Sequence, residues 1–324
     1  MVEIQSILVC DDSPIVHRAV SGVLSGQEGV MLFFAENGKE ALSCLQRHDI
    51  DIMFLDLSMP VMDGFEVLKS LPVSKHDTRV VVLSADVQKQ AMERCIELGA
   101  SHFFPKPFRP EQLASFLRNV GVKLFLPETQ SQLLDHDDSF LAFKDIANIA
   151  LGRGAAIISD HFGEFIKMPL PNVARLTSGE LAMAIHDIRM RNKSVAVVQR
   201  FVGGRIHGEA LVCLRGKDIA AFGRKMGFSQ MDEHKNEIVI DIANLMVSSF
   251  LVSLSEQIKV RFSVRQPIVL EDYMTLDNNE SVNHQFFTVE YTYQAESMDL
   301  ECDVLMMMDN SSTQVIKKMM GALH

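Results

Sequence analysis

Five times in its first 122 residues the chain repeats one pattern: a short β-branched or aromatic run, then an amphipathic stretch at helical spacing. The runs are SILVC (6–10), MLFFA (31–35), DIMFLD (51–56), RVVVLSA (79–85) and HFFPK (102–106). The amphipathic stretches between and after them are 14–26, 38–47, 64–71, 87–98 and 110–120. Five β-α units with short connections predict an α/β fold, a doubly wound five-stranded parallel sheet with helices on both faces. In such a sheet, ligands bind outside the carboxyl ends of the strands.

The residues at those ends are polar and specific. Asp11 and Asp12 follow the first run, Asp56 ends the third, Ser84 falls at the end of the fourth, and Lys106 ends the fifth. Three carboxylates converging on one edge repel one another unless a hard cation sits among them, and Mg²⁺ suits oxygen ligands. With the cation bound, Asp56 can act as a nucleophile toward a phosphoryl group. Lys106 then neutralises the phosphoryl oxygens and the Ser84 hydroxyl donates to one of them.

The motifs VCDD, FLDLSMPVMDG, VVLSA and FFPKPF stand in one order over residues 1–122. In them the chain resembles the receiver domain of two-component response regulators. The resemblance implies that Asp12 and Asp56 ligate Mg²⁺, with the Ser58 carbonyl as a further ligand and Asp11 acting through water. It also implies that Asp56 accepts phosphate from a histidine kinase, that Ser84 and Phe103 form the conformational switch, and that Lys106 binds the phosphate. Phe103 stands where the family often has Tyr, so the bulk is kept and the phenol hydroxyl is lost.

Charge and cysteine usage narrow the setting. The formal net charge is −11 and no Lys/Arg-rich run interrupts it, which argues against nucleic acid and anionic membrane surfaces as partners. Five scattered cysteines without ligand spacing read as reduced, buried thiols. The opening MVEIQSILVCDD lacks a basic leader, and no uninterrupted apolar run approaches the ~18 residues of a membrane span. A cytoplasmic protein is expected.

Residues 123–138, KLFLPETQSQLLDHDD, mix Pro, polar and acidic residues and are expected to be a linker between a 1–122 domain and a 139–324 domain. The second domain states one tetrapeptide twice. Asp-Ile-Ala-Asn occupies 145–148 and again 241–244, each time within an apolar helical pattern, from Phe140 to Phe162 and from Asp232 to Gln257. Pro171 and Pro267 keep the same offset of 96. Asp and Asn three apart project from one helical face. Asn is a poor choice for a helix interior, so its use in both helices suggests work for the amide. A period this long predicts an α+β domain made of two related halves about a pseudo-two-fold axis, not a solenoid. Strands are expected at 193–202, 206–214, 284–294 and 299–309, a hairpin turn within VGGRIHGEALV, and a terminal helix capped by Ser311 or Ser312.

This part is similar to the CheC/CheX/FliY family of chemotaxis phosphatases, whose signature is Glu-x-x-Asn on a long helix with a downstream Pro, often in two copies. Asn148 and Asn244 match the family Asn, and Asp145 and Asp241 stand where Glu is expected. Glu237, four before Asp241, fills the leading acidic position approximately in the second copy and Leu141 stands there in the first, so the second copy is the better match. The resemblance implies that the carboxamide aims a water at an aspartyl phosphate while the acid pairs with the receiver's lysine. The reading is a response regulator whose output domain dephosphorylates a receiver, either its own or a separate phosphorylated receiver protein. The alternative is a phosphorylation-controlled binding or dimerisation module with an inactive phosphatase site. A homodimer is expected from exposed sheet edges in such a domain. A DNA-binding regulator is disfavoured, since residues 123–324 carry 20 basic and 26 acidic side chains.

Overall fold

The computed structural model describes residues 5–24, 27, 29–71, 77–122, 138–190, 195–228, 235–270 and 285–323. The expected linker, apart from Asp138, lies outside these residues, as do the edges of several expected elements. The chain divides into two compact units, Met1–Asp145 and Ile146–His324. The first unit therefore includes the opening turns of the helix that continues into the second.

In the first unit the strands are β1 (Gln5–Cys10), β2 (Val30–Ala35), β3 (Ile52–Leu55), β4 (Arg79–Ser84) and β5 (His102–Pro105). The helices are α1 (Pro14–Leu24), α2 (Gly38–Arg47), α3 (Gly64–Ser70), α4 (Lys89–Glu97) and α5 (Pro110–Asn119). The sheet is parallel throughout, in the order β2-β1-β3-β4-β5. Period-two alternation sends Leu8, Met53, Leu55, Val80 and Val82 to one core with Val67, Leu68 and Cys95 of α3 and α4. Ile7, Val9, Phe54, Val81 and Leu83 go to the other, with Val16 and Val20 of α1 and Leu113 and Leu117 of α5. Local chemistry starts the helices: Asp63 and Glu66 form a reciprocal capping box on α3, and Pro110 occupies the first turn of α5.

The second unit contains α6 (Asp138–Phe162, entering from the first), β6 (Ile166–Lys167), β7 (Asn172–Thr177), α7 (Ser178–Met190), β8 (Val195–Gly203), β9 (Ile206–Arg215) and α8 (Ile219–Lys225). It continues with α9 (Lys235–Ile258), β10 (Ser263–Val264), β11 (Ile268–Val269), β12 (Gln285–Ala295), β13 (Glu301–Met308) and α10 (Asn310–Leu323). The β8–β9 turn is the two-residue loop Gly204-Arg205, both at positive φ (55° and 68°), the geometry of a type I′ hairpin. At α10 the cap differs from expectation. Asp309, not Ser311 or Ser312, accepts from the Ser312 amide at 2.7 Å, because a carboxylate one residue before the helix outcompetes a hydroxyl inside its first turn.

The strand path β10-β8-β9-β13-β12-β6, with β11 added on β8 and β7 on β12, reads the same from either end. The registers make the symmetry quantitative. Lys167 pairs with Gln294 and Asn172 with Glu290, while Ser263 pairs with Val202 and Ile268 with Val198. The short-strand residues are 96 apart (Lys167 to Ser263, Asn172 to Ile268), and their partners differ by a constant 92 in the exchanged order (Val202 to Gln294, Val198 to Glu290). Carried across the two hairpins, Val198 faces Leu211 and Glu290 faces Leu305. Leu211 is thus the counterpart of Leu305, and these two pair with each other at the β9–β13 junction. A residue opposite its own counterpart marks a two-fold axis. The long helices repeat the relation: a Cβ on Gly154 of α6 would lie 3.4 Å from the amide nitrogen of Phe250 on α9, again 96 residues on.

Helix α9 is interrupted by Glu237, Asp241 and Asn244, which is why no unbroken apolar run shows in the sequence. Averaged along its length, Asn236–Ile258 is nonetheless apolar enough to cross a membrane by composition and length. Its Val239, Ile242, Ala243, Val247 and Phe250 are buried, as in the core helix of a folded unit. All five cysteines are buried thiols outside any disulfide.

Candidate functional site

The strand order turns back beside β1 and β3, and the loops after those strands carry Asp11, Asp12 and Asp56. One carboxylate oxygen from each lies within 4.8 Å of the others. Asp11 and Asp56 are buried, and Asp12 is half-buried. The loop after Asp56 can fold tightly because residue 64 is glycine: a Cβ there would fall 2.2 Å from the Asp56 carbonyl oxygen. Lys106 enters from the end of β5, where its amide donates to the Ser84 carbonyl at 2.7 Å. Its ammonium lies 2.7 Å from Asp11 Oδ2 and 3.0 Å from Asp56 Oδ2.

The two oxygens of Asp56 are not alike. Oδ1 accepts from the Leu57 amide at 2.8 Å. Oδ2 is buried and has the Lys106 charge beside it but no well-directed hydrogen-bond donor. Burial pushes the Asp56 carboxyl up, Lys106 opposes this, and Asp11 adds to it. Burial works against the Lys106 ammonium, but Asp11 and Asp56 together hold it above the ordinary lysine range. Three clustered carboxylate oxygens, one without a donor, fit a hard divalent cation; a soft or nitrogen-seeking metal would find no ligand here.

The remaining first-unit candidates lie on the loop after β3 and on strands β4 and β5. Ser58 is buried two residues beyond Asp56. Ser84 is fully buried at the end of β4, and its Oγ accepts from the Asp86 amide at 3.0 Å. Phe103 pairs with Val82 across β4–β5 and packs, partly buried, on the core that includes Leu55 and Val82.

Two pocket residues escaped sequence reasoning. Ser13 reads as a helix cap before Pro14, and its Oγ does accept from the Ile15 and Val16 amides at 3.2 and 3.3 Å. The same hydroxyl donates to Asp145 Oδ2 at 2.7 Å. Lys144, beside it, lies 3.1 Å from Asp12 Oδ2. Both contacts fall within the first unit, whose last residue is Asp145. Burial pushes Asp145 up to about 6, with the Ser13 hydroxyl and Lys106 opposing and Asp11 and Asp12 reinforcing. Each pair joins residues 132 apart, and no local pattern marks it.

The second unit treats its two asparagines differently. Asn244 Oδ1 accepts from Gln199 Nε2 at 2.7 Å and from Ser248 Oγ at 3.3 Å. Gln199 is fully buried and also donates to the Arg265 carbonyl at 2.9 Å. Asn148 Oδ1 is buried with no hydrogen-bond partner among the described residues. The strand offset of 92 makes Tyr291 the counterpart of Gln199, and the Tyr291 hydroxyl is likewise buried and unpartnered. Asp241 and Glu237 are exposed.

A parallel five-stranded sheet with an acidic pocket at its switch point, a lysine in ion-pair contact with two of the acids, and a buried hydroxyl on the adjacent strand defines a phosphoacceptor domain. Comparisons with known proteins name the class. A family model described as response regulator receiver domain matches residues 7–118. Over 123 residues the chain is 32% identical to sporulation initiation phosphotransferase F of Bacillus subtilis, covering 38% of this chain and 94% of that protein. The chain belongs to the response regulator receiver family. It is also 35% identical over 122 residues to protein-glutamate methylesterase/protein-glutamine glutaminase of Treponema pallidum, covering 37% of this chain. It spans about three tenths of the length of the methylesterase relatives it matches. A solved structure, chemotaxis protein CheY4 of Vibrio cholerae, is 30% identical, covering 36% of this chain and 98% of that one at a TM-score of 0.34.

Proposed function

We propose that the chain is a two-component response regulator, phosphorylated on Asp56, whose second unit hydrolyses the aspartyl phosphate of a receiver. A histidine kinase is the phosphodonor. Asp56 Oδ2, the oxygen that faces the Lys106 ammonium, attacks the phosphorus as the bond to the donor nitrogen breaks. Lys106 neutralises charge on the transferred group, and the Ser84 hydroxyl, whose Oγ accepts from the Asp86 amide, donates its proton to a phosphoryl oxygen. Mg²⁺ held by Asp11, Asp12, Asp56 and the Ser58 carbonyl would supply the remaining charge compensation.

The phosphatase reading is of the CheC/CheX type, and the internal two-fold of the second unit's sheet supports a duplicated architecture. One observation carries the reading: Asn148 has a buried carboxamide oxygen that none of the described residues engages. That oxygen can accept from a water and aim it at phosphorus, after which the Asp56 carboxylate leaves and inorganic phosphate departs. Positioning of this kind is worth on the order of 10²-fold, about 3 kcal/mol. Asn244 has its oxygen occupied by Gln199 and Ser248, so the first copy is the working one.

The test is phosphate release from the phosphorylated full-length chain, and from a separate phosphorylated receiver to which it is added. Asn148→Ala should slow release from the attached receiver about 100-fold. Unchanged release from both receivers would leave a binding module in place of a phosphatase.

A further inference from the structure

The acidic pocket contains more negative charge than Lys106 can balance. Asp11, Asp12 and Asp56 bring three carboxylates, and Lys106 reaches only Asp11 and Asp56. Two charges remain, the amount one divalent cation supplies. Asp12 has a cation of its own, the Lys144 ammonium at 3.1 Å from Oδ2. Lys144 sits in the opening turns of α6, next to Asp145, which the Ser13 hydroxyl holds at 2.7 Å.

A divalent ion among the three carboxylates and the Lys144 ammonium would bring like charges together beside one carboxylate, in a partly buried setting where screening is incomplete. We propose that Lys144 and the divalent cation compete for Asp12, so that filling the pocket with metal loosens the opening turns of α6. Lys144 is then a positioning residue of the phosphorylation site, keeping Asp12 oriented while the metal is away. By linkage the coupling runs both ways: whatever holds α6 down weakens metal binding, and metal weakens the hold on α6 by the same factor. The inference rests on the metal reading of the pocket and is independent of whether Asn148 is catalytic.

Lys144 is too exposed, at 39% of its side chain, for the pair to be worth more than a modest amount. Mg²⁺ titration of the full-length protein by calorimetry should show Lys144→Gln binding the ion about three- to tenfold more tightly than wild type, and Lys144→Arg within about twofold of it. Amide exchange over residues 138–145 should accelerate when Mg²⁺ is added to wild type, and should be fast without Mg²⁺ in Lys144→Gln. Asp12→Asn must weaken Mg²⁺ binding in either case, and its failure to do so would indict the pocket rather than Lys144. Lys144→Gln binding no more tightly than wild type would overturn the proposal, as would exchange over 138–145 that is indifferent to the ion.

Discussion

The two Asp-Ile-Ala-Asn segments are identical as text and different as structure. In the second, the Asn244 carboxamide oxygen takes a hydrogen bond from the buried Gln199 and another from Ser248. In the first, Asn148 Oδ1 has no hydrogen-bond partner, and the residue at the counterpart of Gln199 is Tyr291, whose hydroxyl also goes unpaired. A buried polar group left unsatisfied costs roughly 1–3 kcal/mol, so a fold keeps one only under some other pressure. The second copy engages the Asn oxygen and leaves Gln199 Oε1 without a partner among the described residues, while the first leaves the Asn oxygen itself without one. Sequence identity between repeats does not divide labour between them; their strand partners do.

The sharpest way to break this contrast is to remove each asparagine in turn. Asn148→Ala should lower the rate of phosphate release about 100-fold and Asn244→Ala less than about threefold. Equal losses would mean that both copies work and that the Gln199 contact is dispensable during turnover. In stability the order reverses. Asn244→Ala strips Gln199 of one of its two acceptors and should lower the unfolding free energy by about 1–2 kcal/mol, while Asn148→Ala should cost less than about 0.5 kcal/mol. Urea melts of the two variants decide it, and a larger loss for Asn148→Ala would show that its oxygen has a partner in solution.

The acid of the first copy carries a pH dependence. Asp145 is pushed up to about 6 by burial, above its unfolded value of about 4, so the native state favours the protonated form. For such a group the stabilising contribution is complete below the unfolded pKa and is lost as pH rises through about 6. Asp145→Asn keeps an acceptor for Ser13 and removes the titration. Its stability relative to wild type, in metal-free buffer, should therefore rise by about 1–2 kcal/mol between pH 4 and pH 7.5. A difference that stays flat, or falls, would mean that the carboxyl is well solvated.

These distinctions mark the limit of what the sequence makes legible. The first unit can be read almost completely, because short alternating strands, capping residues such as Asp63 and polar residues at strand ends are all local signals. The long helices and the four long strands of the second unit announce themselves the same way. Strand β7 and helices α7 and α8 do not. β7 is half-exposed along NVARLT, and in α7 Leu181 is buried while Met183 is exposed, so its apolar residues do not mark a single face. β6, β10 and β11 have two residues each, too few to show any period. Above all, the Gln199–Asn244 bond spans 45 residues and depends on sheet register, and no local pattern encodes it.

The smallest predicted effect isolates the unused half of the contrast. Tyr291 is buried against Phe250 and Tyr293, with ring centroids 5.4 and 5.2 Å away, so its ring contributes packing whatever its hydroxyl does. Tyr291→Phe keeps the ring and deletes an oxygen that has lost water and gained nothing. If the hydroxyl is truly unpaired, the variant should be more stable than wild type by up to about 1 kcal/mol, with its thermal midpoint raised accordingly. Destabilisation by a similar amount would mean that a buried water or the Asn148 carboxamide takes up the hydroxyl. Asn148 would then be held much as Asn244 is, and the difference between the two copies would shrink from bound against free to bound by tyrosine against bound by glutamine.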